Sequence, residues 1–593
     1  MTLRAESLPL APHRVLIQVR HVAERRRLAI VTVAVGMVTF LVQGYRLGIA
    51  PDAFSDEGIY LDVATNLARG AGLTLNHRVF LWHPPLYMLV AAGYIKVTGL
   101  AGANPITALL SVRYLNIFFS ASTAALLMLF GRKLHSYKAG VAAVALFLVD
   151  PYVLRIDRRG MLETLALLLV LLGLYIFFTR RAHLSPRRRL AAGVAFGLAM
   201  LTKEAMFLEL SALVAYALWS RRSQVRDAVW VAVIACVVYL PYPLWVIAIG
   251  KGDKYLFYQL FGITRVLHSL PGYPPANASA GPTPRATFSS GNLQYLLPQY
   301  GMSYLLLVVA AIFTVFLIFR FRHVLAARYL ATWSIVSFGI GALLGRTSDQ
   351  FFYYMIVPST IVAGYVLASA AGAVRSGRQA KTKAPVPVVI VEAAPAASGA
   401  QYETRRLNLE LAQRDPPRPS LRRWAPIFAA FAVMLIYNSY VWAARYGVGS
   451  DDSYIRAIRY VQTHIASGQA IVTSDDVAYY FLSPRYNVRL DRKPREIVAR
   501  CERYFIMSSK DAWGRYNLTT PRFYDWVVRS SRPLFVQHGH SFWKVGVYAR
   551  PRTAAENPRC RSASAWRPGT AARSTRTAEQ GSGGARPKGA RST

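Results

Sequence analysis

Runs of about twenty apolar residues recur along most of this chain, and they restrict its fold more than any other feature. The first run, Leu28 to Ala50, follows Arg25-Arg26-Arg27 and has no small-residue cleavage site after it. It therefore reads as a retained helix and not as a signal peptide. The chain has 593 residues, 54% hydrophobic and only 17% charged. A soluble protein of that length would carry more charge and divide into several cores. The fold class is thus mainly α, a polytopic membrane protein.

The net charge of +41 would suggest nucleic acid in a soluble protein. Here most Lys and Arg fall in short loops between apolar runs and in two polar tails. That is the positive-inside pattern, and no nucleic-acid partner is expected. Of three cysteines, Cys236 lies inside an apolar run, while Cys501 and Cys560 are both C-terminal and can form one disulfide. No CxxC or HExxH spacing occurs.

The basic loops order about eleven crossings, with the N-terminus inside. They are residues 28–50, 109–130, 139–154, 161–178, 190–201, 206–219, 228–249, 304–319, 326–344, 353–371 and 426–443. Pro84 to Gly99 is apolar but short, and lies along the surface; a crossing there would put Arg132, Lys133 and Lys138 outside. Six segments follow. A cytoplasmic tail covers 1–27, and a core 28–372 has outer loops 51–107 and 251–300. A disordered cytoplasmic linker, 373–424, leads to a last crossing at 425–446. Residues 447–550 form a small extracytoplasmic α/β domain, and 551–593 a disordered basic tail. In that domain Ile455, Ile458, Val461 and Ile465 stripe a helix. Ala470–Thr473, Tyr504–Met507 and Trp543–Tyr548 read as strands.

The chemistry-bearing segment is Phe54-Ser55-Asp56-Glu57-Gly58-Ile59-Tyr60, directly after the first run. Carboxylates at a membrane boundary are costly unless they bind or react with something. Transfer of a sugar to a hydroxyl needs a base at the acceptor and stabilisation of the departing phosphate. Asp56 can supply the base, with Glu57 beside it; equally, Asp56 can cap a surface helix.

Four motifs stand in order: Asp56-Glu57, His83-Pro84-Pro85-Leu86, Arg158-Arg159-Gly160-Met161-Leu162-Glu163, and Gly197-Leu198-Ala199-Met200-Leu201-Thr202-Lys203. In this order they resemble the GT-C glycosyltransferases, within them the protein O-mannosyltransferase and aminoarabinose-lipid A transferase group. The resemblance covers roughly residues 28 to 445. It implies a GT-C-like core, a sugar donor on polyprenyl phosphate and inversion at the anomeric carbon. Glu163 stands where the group has Asp, so its charge sits one methylene further out. It lines the site, or else pairs with Arg158 or Arg159 at a helix start.

Arg155, Arg158, Arg159, Lys203 and Arg346 fall on the outer side, where cations are disfavoured. A lipid phosphate explains them, guanidinium groups meeting phosphate oxygens bidentately. The alternative is snorkelling to headgroups. Lys203 and Arg346 are the leading phosphate ligands, Arg158 and Arg159 accompany them, and His83 either joins them or orients its Pro-Pro turn. Tyr60, Tyr353 and Tyr354 are assigned to the substrate pocket; for the last two an interfacial aromatic belt is the alternative.

The reading is a membrane glycosyltransferase, hexosyl or pentosyl, acting at the outer face. Its partners are a polyprenyl-phosphate-linked sugar donor, a protein, glycolipid or cell-wall glycan acceptor, and membrane lipids. The alternative is a polytopic transporter or flippase, which calls for charges near the bilayer midplane or paired broken spans. A third is a scaffold for the C-terminal domain. The motifs demand no cofactor, though Asp56 and Glu57 leave a divalent metal open. The location is a bacterial plasma membrane, with the active site and C-terminal domain extracytoplasmic.

Overall fold

The computed structural model describes residues 12–178, 184–219, 222–258, 260, 301–320, 324–344, 352–382, 421–473, 476–490, 493–513 and 519–551. Arg346, most of the 251–300 loop, linker residues 383–420 and tail residues 552–593 lie outside these. The chain divides into two compact units, Met1–Asp452 and Ser453–Thr593.

The first unit is helical. In order come α1 (Pro12–Gly44), α2 (Ser55–Ala68), a small hairpin (β1 Thr74–Leu75, β2 Arg78–Val79), α3 (Leu86–Val97) and α4 (Pro105–Leu134). Next are α5 (Tyr137–Val149), α6 (Pro151–Asp157), α7 (Leu162–Phe177), α8 (Pro186–Thr202) and α9 (Met206–Trp219). Then follow α10 (Arg222–Tyr239), α11 (Pro241–Ala248), α12 (Ser303–Arg320), α13 (Leu325–Leu344), α14 (Tyr353–Thr382) and α15 (Leu421–Trp442). Among the described residues five helices are long and apolar enough to cross a membrane, or six if one bent pair counts as a span. Shorter apolar helices include α3, α7 and α9.

The bent pair corrects the expected third crossing. Residues 139–154 are not one helix: α5 stops at Val149, and α6 leaves at 70°. Pro151 has no N–H to continue the ladder, and it suits the first position of a new helix. Asp150 caps that helix, its Oδ1 accepting from the Tyr152 and Val153 amides at 2.9 and 3.1 Å. The expected linker start is also corrected, since α14 runs on to Thr382.

Glycines set the helix spacing. A Cβ on Gly140 would meet the Met128 carbonyl oxygen at 2.5 Å, so α5 packs on α4 backbone to backbone. Gly364 meets the Ala139 oxygen of α5 equally closely, and Gly197 of α8 faces Val238 of α10. Small residues are the usual means of close helix approach in lipid.

The second unit is a mixed five-stranded sheet, order β4-β3-β5-β7-β6. Its strands are β3 (Ala470–Thr473), β4 (Asn487–Arg489), β5 (Tyr504–Ser508), β6 (Arg532–Gly539) and β7 (Trp543–Ala549). β3 pairs in parallel with β4 and β5, and β7 pairs antiparallel with β5 and β6. Helix α16 (Ser453–His464) buries Ile455, Ile458 and Val461, the stripe seen in the sequence. The three expected strands are present; β4 and β6 are additions at the two edges. Cys501 is disulfide-bonded, and Cys236 is free and exposed.

The glycine contacts yield a first prediction. Gly140→Leu should lower the unfolding free energy of purified protein by about 1–3 kcal/mol through overpacking. Gly93→Ala, in α3 with open space around it, should raise it by about 0.5–1 kcal/mol. Thermal unfolding in lipid nanodiscs reads both; a silent Gly140→Leu would contradict the close crossing.

Candidate active site

α2 begins at Ser55, with Phe54 at its N-cap. Asp56 therefore sits inside the first turn and is not the cap. The capping carboxylate is Glu57, whose Oε2 accepts from the Phe54 amide at 3.1 Å.

Glu57 is fully enclosed. Arg113 of α4 meets it with a fork, Nε to Oε1 at 2.9 Å and an Nη to Oε2 at 2.7 Å. The Gly160 amide donates to Oε1 at 2.7 Å. The other Arg113 contacts are the carbonyls of Pro51 at 2.6 Å and Asp52 at 3.1 Å. Neither side chain is exposed. A buried pair is sustained only when its remaining polar atoms are also met, and here they are. Both Glu57 oxygens are thus committed to donors from the protein. Among the described residues no group of three or more His, Cys, Asp or Glu side chains is placed to hold a metal ion.

Asn116, one turn after Arg113, fixes the second motif. Its Nδ2 donates to the carbonyls of Arg159 and Met161 at 2.7 and 2.6 Å, and its Oδ1 accepts from Tyr87 at 3.0 Å. Arg158 is buried and turned away from the pocket. Its guanidinium donates to the carbonyls of Gln43, Tyr45 and Ala50 at 2.6, 2.9 and 2.7 Å, and lies 5.0 Å from the Tyr446 ring. It thus serves three backbone carbonyls, that of Gln43 lying at the end of α1, where a cation is favourable. Arg159 lies over the Phe54 ring at 5.0 Å, 3.9 Å from Glu57. Asp157, buried, accepts from Ser120 at 2.5 Å, Thr164 at 3.0 Å and Tyr353 at 2.5 Å. Tyr353 is thereby a tether between α14 and the 157–164 turn.

The remaining expected residues are neighbours of one another. Glu163, at the start of α7, is buried and ion-paired with Lys203, just past α8. Its Oε2 is buried with no hydrogen-bond partner among the described residues. Lys203 Nζ lies 5.7 Å from the Tyr354 ring. Tyr60 packs edge-on against His83 at 5.9 Å and Tyr87 at 6.0 Å. Burial, then the charges of Asp56 and Glu163, push its phenol well above the usual tyrosine range. Tyr60 is thus a neutral hydroxyl within electrostatic reach of both carboxylates. His83 Nδ1 stands 3.7 Å from Glu204 Oε2. The structure brings together Asp56, Tyr60, His83, Glu163, Lys203 and Tyr354. It sets Glu57, Arg158 and Tyr353 in the supporting frame.

Sequence reading missed Arg113, Asn116, Asp157 and Glu204. Arg113 did carry a signal, a lone cation inside an apolar run.

Replacing Arg113 should be severe. Arg113→Ala leaves Glu57 buried without its fork and should cost about 3–5 kcal/mol of stability. Arg113→Lys keeps a charge but not the fork, and should fall between. Denaturant unfolding of the nanodisc-held protein measures this; an unchanged midpoint for Arg113→Ala would refute the anchoring role.

Comparison with known proteins now bears on this geometry. Residues 82–245 match the family model described as dolichyl-phosphate-mannose-protein mannosyltransferase. That segment holds His83, Arg113, Asn116, Arg158, Glu163 and Lys203; Asp56 and Glu57 precede it. No curated protein matches the sequence. Among solved structures, ArnT from Cupriavidus metallidurans bound to undecaprenyl phosphate aligns at 16% identity. The match covers 88% of this chain and 98% of that one, with a TM-score of 0.50. The apo oligosaccharyltransferase of Archaeoglobus fulgidus aligns at 12% identity, over 88% of this chain and 75% of that one, with a TM-score of 0.53. The archaeal oligosaccharyltransferase AglB from the same organism, in complex with an inhibitory peptide and a dolichol-phosphate, aligns at 12% identity. It covers 88% of this chain and 74% of that one, with a TM-score of 0.50. The solved structures share the fold, and the matched family segment carries three of the four motifs, those at His83, Arg158 and Gly197.

Proposed function

We propose that the chain moves a hexosyl or pentosyl group from a polyprenyl-phosphate donor to a hydroxyl acceptor, at the outer membrane face and with inversion. The observation that carries this reading is the division of labour between two neighbouring carboxylates. Glu57 is immobilised by Arg113, whereas Asp56 is half-exposed at the head of α2. Asp56 takes the proton of the acceptor hydroxyl as that oxygen attacks the anomeric carbon. Lys203, held ready by Glu163 and Tyr354, neutralises the departing lipid phosphate. His83 and Arg159 are its neighbours in that role, and Arg346, outside the described residues, is assigned to it as well. Tyr60 and Tyr354 line the sugar pocket. Glu57 positions Asp56.

The layout proposed is eleven crossings with the 453–550 unit outside the cell, in a bacterial plasma membrane. Loop charges support it, as does the disulfide-bonded Cys501, since disulfides persist in oxidising compartments. On a Cys236→Ala background, an impermeant thiol reagent should label Ser509→Cys and spare Ser398→Cys in intact cells. The reverse pattern would overturn the topology.

Asp56→Asn preserves size and removes the base. Turnover of labelled sugar from a polyprenyl-phosphate donor should fall by about a hundredfold or more. Folding and donor binding should persist, because the Glu57–Arg113 anchor is untouched. Full transfer by Asp56→Asn would rule out this mechanism.

A further inference from the structure

Beside the pocket lies a second group of side chains that the reaction above does not use. Glu204 follows Lys203 in the α8–α9 turn and faces His83. Its charge also falls on three phenols, those of Tyr239, Tyr242 and Tyr255. Tyr239 and Tyr255 share a hydrogen bond of 2.7 Å between their hydroxyls. Tyr242 donates to the His83 carbonyl at 3.4 Å, tying this group to the loop that bears His83. The rings continue outward on both sides. Trp245 stacks on Tyr242 at 6.3 Å with 26° between planes, and Trp82 lies 6.5 Å from Tyr258. Trp82 is 44% exposed and Trp245 39%, while Tyr239 and Tyr242 are buried.

Resting on the transferase reading, we propose that this basin is the acceptor subsite and that its occupant is a carbohydrate ring. A sugar offers an apolar C–H face and a rim of hydroxyls, and so demands aromatic planes bordered by a few fixed polar groups. Here the planes are Trp82 and Trp245, and the border is Glu204 and the tyrosine hydroxyls. Of two hydroxyls sharing one bond, one proton stays available to an acceptor. Against an isoprenoid tail, these phenols and the carboxylate would be desolvated without return. A peptide wants backbone partners along its length, and the polar atoms here are side-chain groups set around rings. An interfacial aromatic belt would turn its rings to lipid, whereas Tyr239 and Tyr242 are buried. The position also fits: His83 stands 3.7 Å from Glu204 and edge-on to Tyr60, so the basin adjoins the residues around Tyr60.

Saturation-transfer NMR on the full chain in nanodiscs tests this without a donor. The probes are methyl α-mannopyranoside, methyl β-arabinofuranoside and a Ser/Thr peptide. Saturation should reach the ring C–H protons of at least one glycoside and not the peptide. It should vanish in Trp245→Ala, return in Trp245→Phe and weaken in Glu204→Gln. Saturation of the peptide alone, or glycoside signals indifferent to Trp245 and Glu204, would overturn the inference. A second arm separates it from the parent reading by following cleavage of mannosyl- and arabinosyl-phosphoryl polyprenol to free sugar. Trp245→Ala should retain wild-type cleavage to water while losing transfer to the glycoside. Loss of both in Trp245→Ala would also count against an acceptor subsite. A wild-type protein that cleaves neither donor, yet binds glycosides, would sink the transferase reading and leave the carbohydrate site standing.

Discussion

The Glu57–Arg113 pair is the contact on which the rest of the site depends. It joins the start of α2, the middle of α4, the 159–160 turn and the carbonyls of Pro51 and Asp52. Neither charge sees solvent, so attraction alone would not repay desolvation; the extra hydrogen bonds make the arrangement tenable. Its consequence for chemistry is directional. Successive residues on an α-helix are rotated by about 100°. With Glu57 pinned inward, Asp56 lies on a different face of α2 and stays partly exposed.

The outer cations follow the same logic with another outcome. Five were candidates for phosphate, and as charges in a sequence they looked alike. Arg158 is consumed by three backbone carbonyls, one of them at the end of α1. A helix end offers partial negative charge much as a phosphate does, and only coordinates tell the two apart. Lys203 differs because its partner is a carboxylate, itself buried at the start of α7.

Much of the fold was legible because lipid imposes a simple rule on apolar length, and the helices fall where the apolar runs do. The break at Asp150-Pro151 was written in the sequence too, as a cap residue before a proline, but a hydropathy reading runs across it. In the second unit, β3, β5 and β7 were visible as apolar runs. β4 is three residues long, and β6, with Arg532, Gln537 and His538, is polar because it lies at an edge. In the site, Glu163 stands beside Lys203, Lys203 near Tyr354, and Tyr60 against His83. Tyr353 was not separable from Tyr354, since facing Asp157 or facing the pocket depends on the rotation of α14. Arg113 was hidden in an apolar run, and its meaning lies in a partner 56 residues away.

The Lys203–Glu163 pair carries the argument one step further. In a low-dielectric pocket each charge is tolerable because of the other. Lys203 directly follows α8 and Glu163 opens α7, so the contact ties two helix ends together, with the Tyr354 ring of α14 5.7 Å from the ammonium. Removing either partner would leave the other charge buried and uncompensated, which costs more than the pair itself contributes.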